Sequence, residues 1–385
     1  MLLNNKFKIL FVVTIIAIAF VVVINYLPVH PQLISTKHKD SDVVTVAHEN
    51  VEQPVHDNAQ FITSTTEKHL LLAKQNRLKD MLSSCEKNNI EAQYSFIEKK
   101  LSNIAIALQN SDKLKARFNS TIITGTITDK NRSALFDYVV EKPYDKVAYK
   151  SALKECDKHI NLPQCKSTLF SLNNMPDTQN AATLLDIASI ALKQGNEEKA
   201  HLAIELAAKT ANFNEYFFEY IQRSQEIIAS NAFIGFNQSL IISIGRAAAV
   251  PSSFSTIFKF CKDSHNVSDI LVDACGKIGE VMEHHSHSYI SQALGQALQE
   301  NYFRQTNNQK ALEQTQQRRK RLNNAYNTSL FNQVSQLIQF DEKLARLWLT
   351  TGLALGESQS QDIIIKEIDT LIENPDYSPC QITFH

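Results

Sequence analysis

The chain is 385 residues long with a formal net charge of −1, which excludes a strongly basic polyanion-binding body and an acidic tail. Nine glycines and nine prolines are few for this length, while Leu, Ala, Ile, Lys, Gln and Glu abound. Few turn-formers among many helix-formers predict a helical chain with short connections.

At the N-terminus, Lys6 and Lys8 precede a run from Ile9 to Ile24 without a charged residue, and Tyr26, Leu27 and Pro28 close it. A helix over Ile9–Leu27 is about 27 Å long, close to the hydrocarbon thickness of a bilayer. Tyr26 suits the interface and Pro28 a helix stop. After the run, the next Lys or Arg is Lys37. The excess of positive charge before the run keeps the N-terminus cytoplasmic and sends the remainder across. Residues 1–28 thus read as a cytoplasmic tip and transmembrane signal anchor. The expected location is a bacterial inner membrane, crossed once, with a periplasmic body. The competing reading is a signal peptide cleaved after Ala17-Ile18-Ala19, which would leave the apolar Phe20–Ile24 as a new terminus. Asn-x-Ser/Thr triplets at Asn119, Asn131, Asn237, Asn266 and Asn327 do not separate a periplasm from a eukaryotic lumen.

Residues 29–63 are polar and include Pro31 and Pro54, the composition of a flexible stalk. The body beyond is too long for one core, which predicts an N-terminal helical lobe over 64–175 and a C-terminal helical lobe over 176–385. Ser64 and Glu67 are spaced as a capping box. Leu71, Leu78, Leu82 and Cys85 then share one face, and Ile97, Leu101, Ile104 and Leu108 line the next helix. The two are expected to pair as an antiparallel hairpin. Asn119–Thr128 is rich in β-branched residues and reads as a loop or short strand pair. Helices are expected to resume over Lys130–Glu141 and Tyr144–His159, and again after Pro176-Asp177.

Ala181–Thr210 forms a clearer unit. Leu184, Ile187, Ala188 and Ala191 recur on one face, Gly195-Asn196 turns the chain, and Ala200, Ile204 and Ala207 recur on the partner. This pattern resembles the tetratricopeptide repeat over about 30 residues. It departs from that repeat at Ala191, where a larger residue is usual, and at Asn212, where Pro is usual. The resemblance implies hairpins that stack and present a groove to a peptide or helix. Ala274–Gln299 and Leu344–Ile372 are looser hairpins. Ile227–Val250 is very apolar, but Asn231, Asn237, Gln238 and Arg246 interrupt it, so it reads as a buried core helix and not a second span. The fold class is therefore all-α, with helical hairpins in a repeat-like array or an irregular bundle.

Six cysteines on an exported body predict disulfides. Cys156 and Cys165 flank one helix–turn–helix corner, Cys261 and Cys275 another, and Cys85 is left with Cys380. Glu280, Glu283, His284 and His287 form a cluster of metal-ligand type, with Glu280 and His284 on one helical face and Glu283 and His287 on another. The competing reading is a solvated helix end, where His complements the dipole. Arg318, Arg319, Lys320 and Arg321 form the one basic run, a candidate contact for an anionic surface or a solvated helix face. Ser151 and Lys154 match Ser-x-x-Lys without the companion motifs of a hydrolase, and no phosphate loop or dinucleotide fingerprint is present.

These features favour a membrane-anchored periplasmic protein-interaction or scaffold module of the cell envelope. Its expected contacts are the membrane through Ile9–Leu27 and a protein or peptide partner, with no nucleic acid and no cofactor. The partner surface is expected on the polar side of Asp186–Lys209. The alternative is an envelope enzyme acting on peptidoglycan or polysaccharide, whose paired carboxylates need no local motif.

Overall fold

The computed structural model describes residues 65–379 apart from 86–89, 126, 167–169, 173–174, 233, 249–253, 264–267 and 327. The chain divides after residue 60, and the unit that follows is the one described. The expected anchor, stalk and Ser64 cap lie outside the described residues. No helix among the described residues is long and apolar enough to cross a membrane.

The described residues are all-α, with 16 helices and no strand. They are α1 (Thr65–Cys85), α2 (Ile90–Gln109), α3 (Leu114–Thr124), α4 (Asp129–Glu141), α5 (Lys146–Lys158), α6 (Ala181–Lys193), α7 (Glu197–Ala208) and α8 (Phe217–Ala232). There follow α9 (Phe236–Ala248), α10 (Phe254–Lys262), α11 (Asp269–His285), α12 (Tyr289–Gln305), α13 (Gln309–Tyr326), α14 (Ser329–Leu337), α15 (Glu342–Leu355) and α16 (Glu357–Glu373). Polar caps start many of them. Asp145, Asn180, Asn196, Ser288, Thr328 and Asp341 each accept a hydrogen bond from a first-turn backbone N–H.

Three sequence expectations are corrected. The β-branched stretch after Asn119 is the second half of α3, not a loop or strand pair. Its Phe118, Ile122 and Ile123 are buried, and the hydroxyls of Ser120, Thr121 and Thr124 bond to carbonyls of their own helix. Packing of that face outweighs a propensity penalty of a few tenths of a kcal/mol per residue. Gly125 then ends the helix at a φ of +65°. Secondly, α1 packs against α14 and α16 instead of forming a hairpin with α2. Lys74 pairs with Asp369 at 2.9 Å, and Gln333 donates to the Gln75 carbonyl at 3.1 Å. Thirdly, the apolar stretch after Ile227 is not one helix but the end of α8 and the whole of α9, which pack side by side.

Elsewhere neighbours in sequence pack as neighbours in space. α6 with α7, α8 with α9, α11 with α12 and α15 with α16 are hairpins. The α6–α7 hairpin falls where the repeat-like unit was expected. Every residue of α6 from Ala181 to Ala191 is buried, so this helix is interior and its Asp186 belongs to no open surface. The α11–α12 hairpin, loose by pattern, is the most closely packed pair. A Cβ on Gly295 would lie 2.6 Å from the Gly279 carbonyl oxygen and the Glu283 nitrogen, so only glycine permits that approach.

Two apolar cores result. The first runs from Ile97 to Leu298, is continuous across residue 176, and centres on α6 with Phe118, Leu135, Leu153, Leu185, Phe213 and Ile278. The second joins Leu78 and Leu82 of α1 to Val334, Leu344, Trp348 and Ile368 of the C-terminal helices. α8 serves both, giving Ile227 and Ile228 to the first and Phe218 and Ile221 to the second.

Candidate functional site

The turn between α7 and α8 lies where the two cores meet, and it gathers polar groups. Phe213 and Phe218 are its apolar pegs, one in each core. Phe213 also forms an isolated parallel bridge to Ser286 in the α11–α12 turn. Asn180, the cap of α6, clamps the segment: its Oδ1 accepts from the Asn214 N–H at 3.0 Å, and its Nδ2 donates to the Asn214 carbonyl at 2.8 Å. Tyr216 sits at a φ of +60°, a left-handed conformation that a bulky side chain adopts only when its surroundings enforce it. Asn214 Oδ1 accepts its N–H at 2.7 Å, and its hydroxyl donates to Asp177 Oδ2. Burial first, then Asp177, push the Tyr216 phenol above its usual range, so it stays a proton donor at neutral pH.

Tyr216 forms one wall of a recess of about 340 Å³, counted out to its mouth. The other lining residues are Pro143, Tyr144, Lys146, Tyr149, Pro176 and Asp177. Tyr149 is buried, whereas Tyr144 is 81% exposed. The Lys146 ammonium stands 5.4 Å from the centroid of the Tyr216 ring. Asp177 Oδ2 receives Asn180 Nδ2 and the Thr183 hydroxyl, each at 2.9 Å, in addition to Tyr216.

Behind the recess lies a chain of buried charges. Lys150 pairs with Asp186 and donates to the Ala182 carbonyl at 3.2 Å. Burial pulls the Lys154 amine down to about 8, helped by the Lys150 charge and opposed by Asp186 and Glu215. Ser151 donates to the Val147 carbonyl at 2.7 Å, so its hydroxyl serves its own helix and not Lys154. Glu215 Oε1 accepts from the Ser288 hydroxyl at 2.7 Å, while its Oε2 is buried without a donor. At the same α11–α12 turn, the Glu357 carboxylate accepts the Tyr289 N–H at 2.8 Å, and the Glu357 N–H donates to the His287 carbonyl at 2.7 Å. Burial pushes the Glu357 carboxyl up to about 7; the Tyr289 hydrogen bond opposes that rise and the Glu215 charge adds to it. Two glutamates thus hold one turn.

No protein-family model, curated protein or solved structure matches the chain. The functional reading therefore rests on the geometry.

The residues singled out by sequence fall elsewhere. Cys156 and Cys165 form one disulfide, with a Cα–Cα distance of 5.5 Å, and Cys261 and Cys275 another, at 5.7 Å. Cys85 is buried, and its expected partner Cys380 lies outside the described residues. The four candidate metal ligands do not converge, although His284 Nε2 stays 3.9 Å from Glu283 Oε2. Glu280 pairs with Lys277 at 2.9 Å on the surface, and His284 is exposed. Glu283 turns inward, where Arg318 Nε and an Arg318 terminal nitrogen donate to its two oxygens at 2.7 and 3.0 Å, joined by Gln296 and Gln299. Burial alone would raise the Glu283 carboxyl, but the Arg318 and Gln296 hydrogen bonds and the Arg318 charge hold it below its usual range. His287 stands in the turn with its Nδ1 buried and unpartnered. Among the described residues, no three His, Cys, Asp or Glu side chains are grouped to hold a metal ion.

The basic run divides as well. Arg318 belongs to Glu283, and Arg319 reaches Glu300 at 3.3 Å, while Lys320 and Arg321 are exposed. Sequence reasoning missed Asp177, Glu215, Tyr216 and Glu357. A local signal existed for the recess alone: Pro143-Tyr144 and Pro176-Asp177 are turn-forming pairs that carry an aromatic or acidic side chain. The remaining groups come together only through tertiary packing.

Proposed function

We propose that the chain is a membrane-anchored helical protein of the bacterial envelope whose periplasmic body docks a protein or peptide partner, with the recess beneath Tyr144 receiving one partner side chain. The recess carries this reading. It is too small for a whole drug-sized ligand and suits a single side chain. Its wall is pre-set, because Tyr216 is held in a strained conformation by Asp177 and Asn214. An 81% exposed tyrosine at the rim has the amphipathic character of an interface anchor. The outer face of α7 adds exposed Leu202 and Leu206, one helical turn apart, within the segment where a partner surface was expected. The charge asymmetry around Ile9–Leu27 supports the topology, and the two disulfides suit an oxidising compartment. The successive hairpins support a hairpin array whose repeat-like member has its first helix in the interior.

The enzyme alternative rests on Glu357, whose carboxyl burial pushes up to about 7, with Glu215 as a second carboxyl at the same turn. Both, however, hold the α11–α12 turn through hydrogen bonds. The test is photo-crosslinking of the full-length protein in membranes, with the crosslinker placed at Tyr144, at Leu202, or at Lys366 as a remote control. The expected result is discrete adducts from Tyr144 and none from Lys366. Equal labelling from Lys366, or none from Tyr144, refutes the docking reading.

A further inference from the structure

The docking reading leaves open what kind of side chain the recess takes, and its chemistry narrows that. Its walls are tyrosine rings and proline rings, which offer π-faces and apolar edges. Asp177 commits Oδ2 to three donors, while its Oδ1 takes no hydrogen bond from the described residues. One carboxylate oxygen therefore keeps its acceptor capacity beside the rings. The chain itself already places a cation here, for the Lys146 ammonium lies over the Tyr216 ring and pairs with no carboxylate among the described residues. Lys146 is exposed and its stem is flexible, so it can leave. Aromatic faces next to a carboxylate attract a weakly hydrated organic cation, both through the ring quadrupole and through charge.

We propose that the recess is a cation cage that accepts an alkylammonium head, with Tyr144 and Tyr216 as faces, Asp177 as counter-charge and Lys146 as a tethered competitor. This rests on reading the recess as the docking point. The same head chemistry reaches the site either on a lysine side chain of a partner or as a free quaternary ammonium compound.

Calorimetric titration of the full-length protein in non-ionic detergent separates these sources. The probes are a Gly-Lys-Gly tripeptide blocked at both ends, and choline. Saturable binding of either supports the cage, and the tighter of the two names the source. Tyr144→Ala removes an exposed ring, so the helical circular dichroism should stay unchanged while affinity falls about fivefold. Asp177→Asn should weaken binding at least as much, and Lys146→Ala should strengthen it by removing the competitor. Absence of saturable binding by both probes overturns the proposal, as does binding that Tyr144→Ala and Asp177→Asn both leave intact. Position-specific adducts at Tyr144 together with no cation binding would refute the cage while leaving the docking reading standing.

Discussion

Replacing Glu357 with Gln should make the protein more stable at alkaline pH and flatten its stability between pH 5 and 8. Glu357 starts α16, and its carboxyl is pushed from an ordinary 4.5 to about 7, chiefly by burial and further by Glu215. The folded state therefore binds a proton more tightly than the unfolded state does. Stability from this group is fully present below the unfolded value and is lost as pH rises through about 7. At about 1.4 kcal/mol per pH unit the whole effect is about 3 kcal/mol, of which about 2.5 kcal/mol falls between pH 5 and 8. A glutamine is neutral throughout. Its carbonyl oxygen can accept the Tyr289 N–H as the carboxylate does. Urea unfolding of the wild type and E357Q across this range is the assay. The stability difference between the two should grow by about 2.5 kcal/mol from pH 5 to pH 8 in favour of the variant. Parallel curves, with the same difference at every pH, would show that Glu357 does not hold a proton near neutrality and would sink the reasoning.

Gly295→Ala should destabilise by about 1–3 kcal/mol by forcing α11 and α12 apart, whereas Gly245→Ala, where nothing lies within 4 Å of the new methyl, should gain up to about 1 kcal/mol from helix propensity; thermal melts compare them. Equal shifts for the two would contradict the close crossing. Arg318→Ala leaves Glu283 with Gln296, Gln299 and the exposed His284 and should cost about 2–3 kcal/mol at neutral pH, less than for a fully enclosed pair because Arg318 is 36% exposed. Since Glu283 is held below its usual range, its contribution is present above that range and lost as pH falls through it, so the variant's deficit should shrink in acid. Alkylation without reductant should label no more than two of the six cysteines, and reduction should lower stability by about 3 kcal/mol for each of the two described bridges. Labelling of all six in the native protein would overturn the expectation of an oxidising compartment.

Helical class, the α6–α7 hairpin and the two local disulfides could be read from the chain because each depends on residues close together. Leu184, Ile187 and Ala188 recur at the helical period, and Cys156 and Cys165 are separated by nine positions. The loop expected after Asn119 went the other way because burial of Ile122 and Ile123 against distant helices outweighs their weak intrinsic preference. The partner of α1 was illegible for the same reason. An amphipathic helix announces that it needs a neighbour but not which one, and Leu78 and Leu82 found theirs more than 250 positions away, beside Val334 and Leu337.

The site divides along that line. Sequence alone determined the helical class and several of its turns, and that Glu283 and Arg318 carry charges worth explaining. Tertiary structure decided that a buried Glu283 and a partly exposed Arg318 pair with each other, so that neither the metal cluster nor the full basic run is assembled. It also decided that Asp177, Tyr216 and Lys146 share a recess and that Glu215 and Glu357 hold one turn. Helix formation is a local balance of backbone hydrogen bonds and nearby side chains. Burial of a charge beside its counter-charge depends on distant residues that only packing brings within a few ångströms.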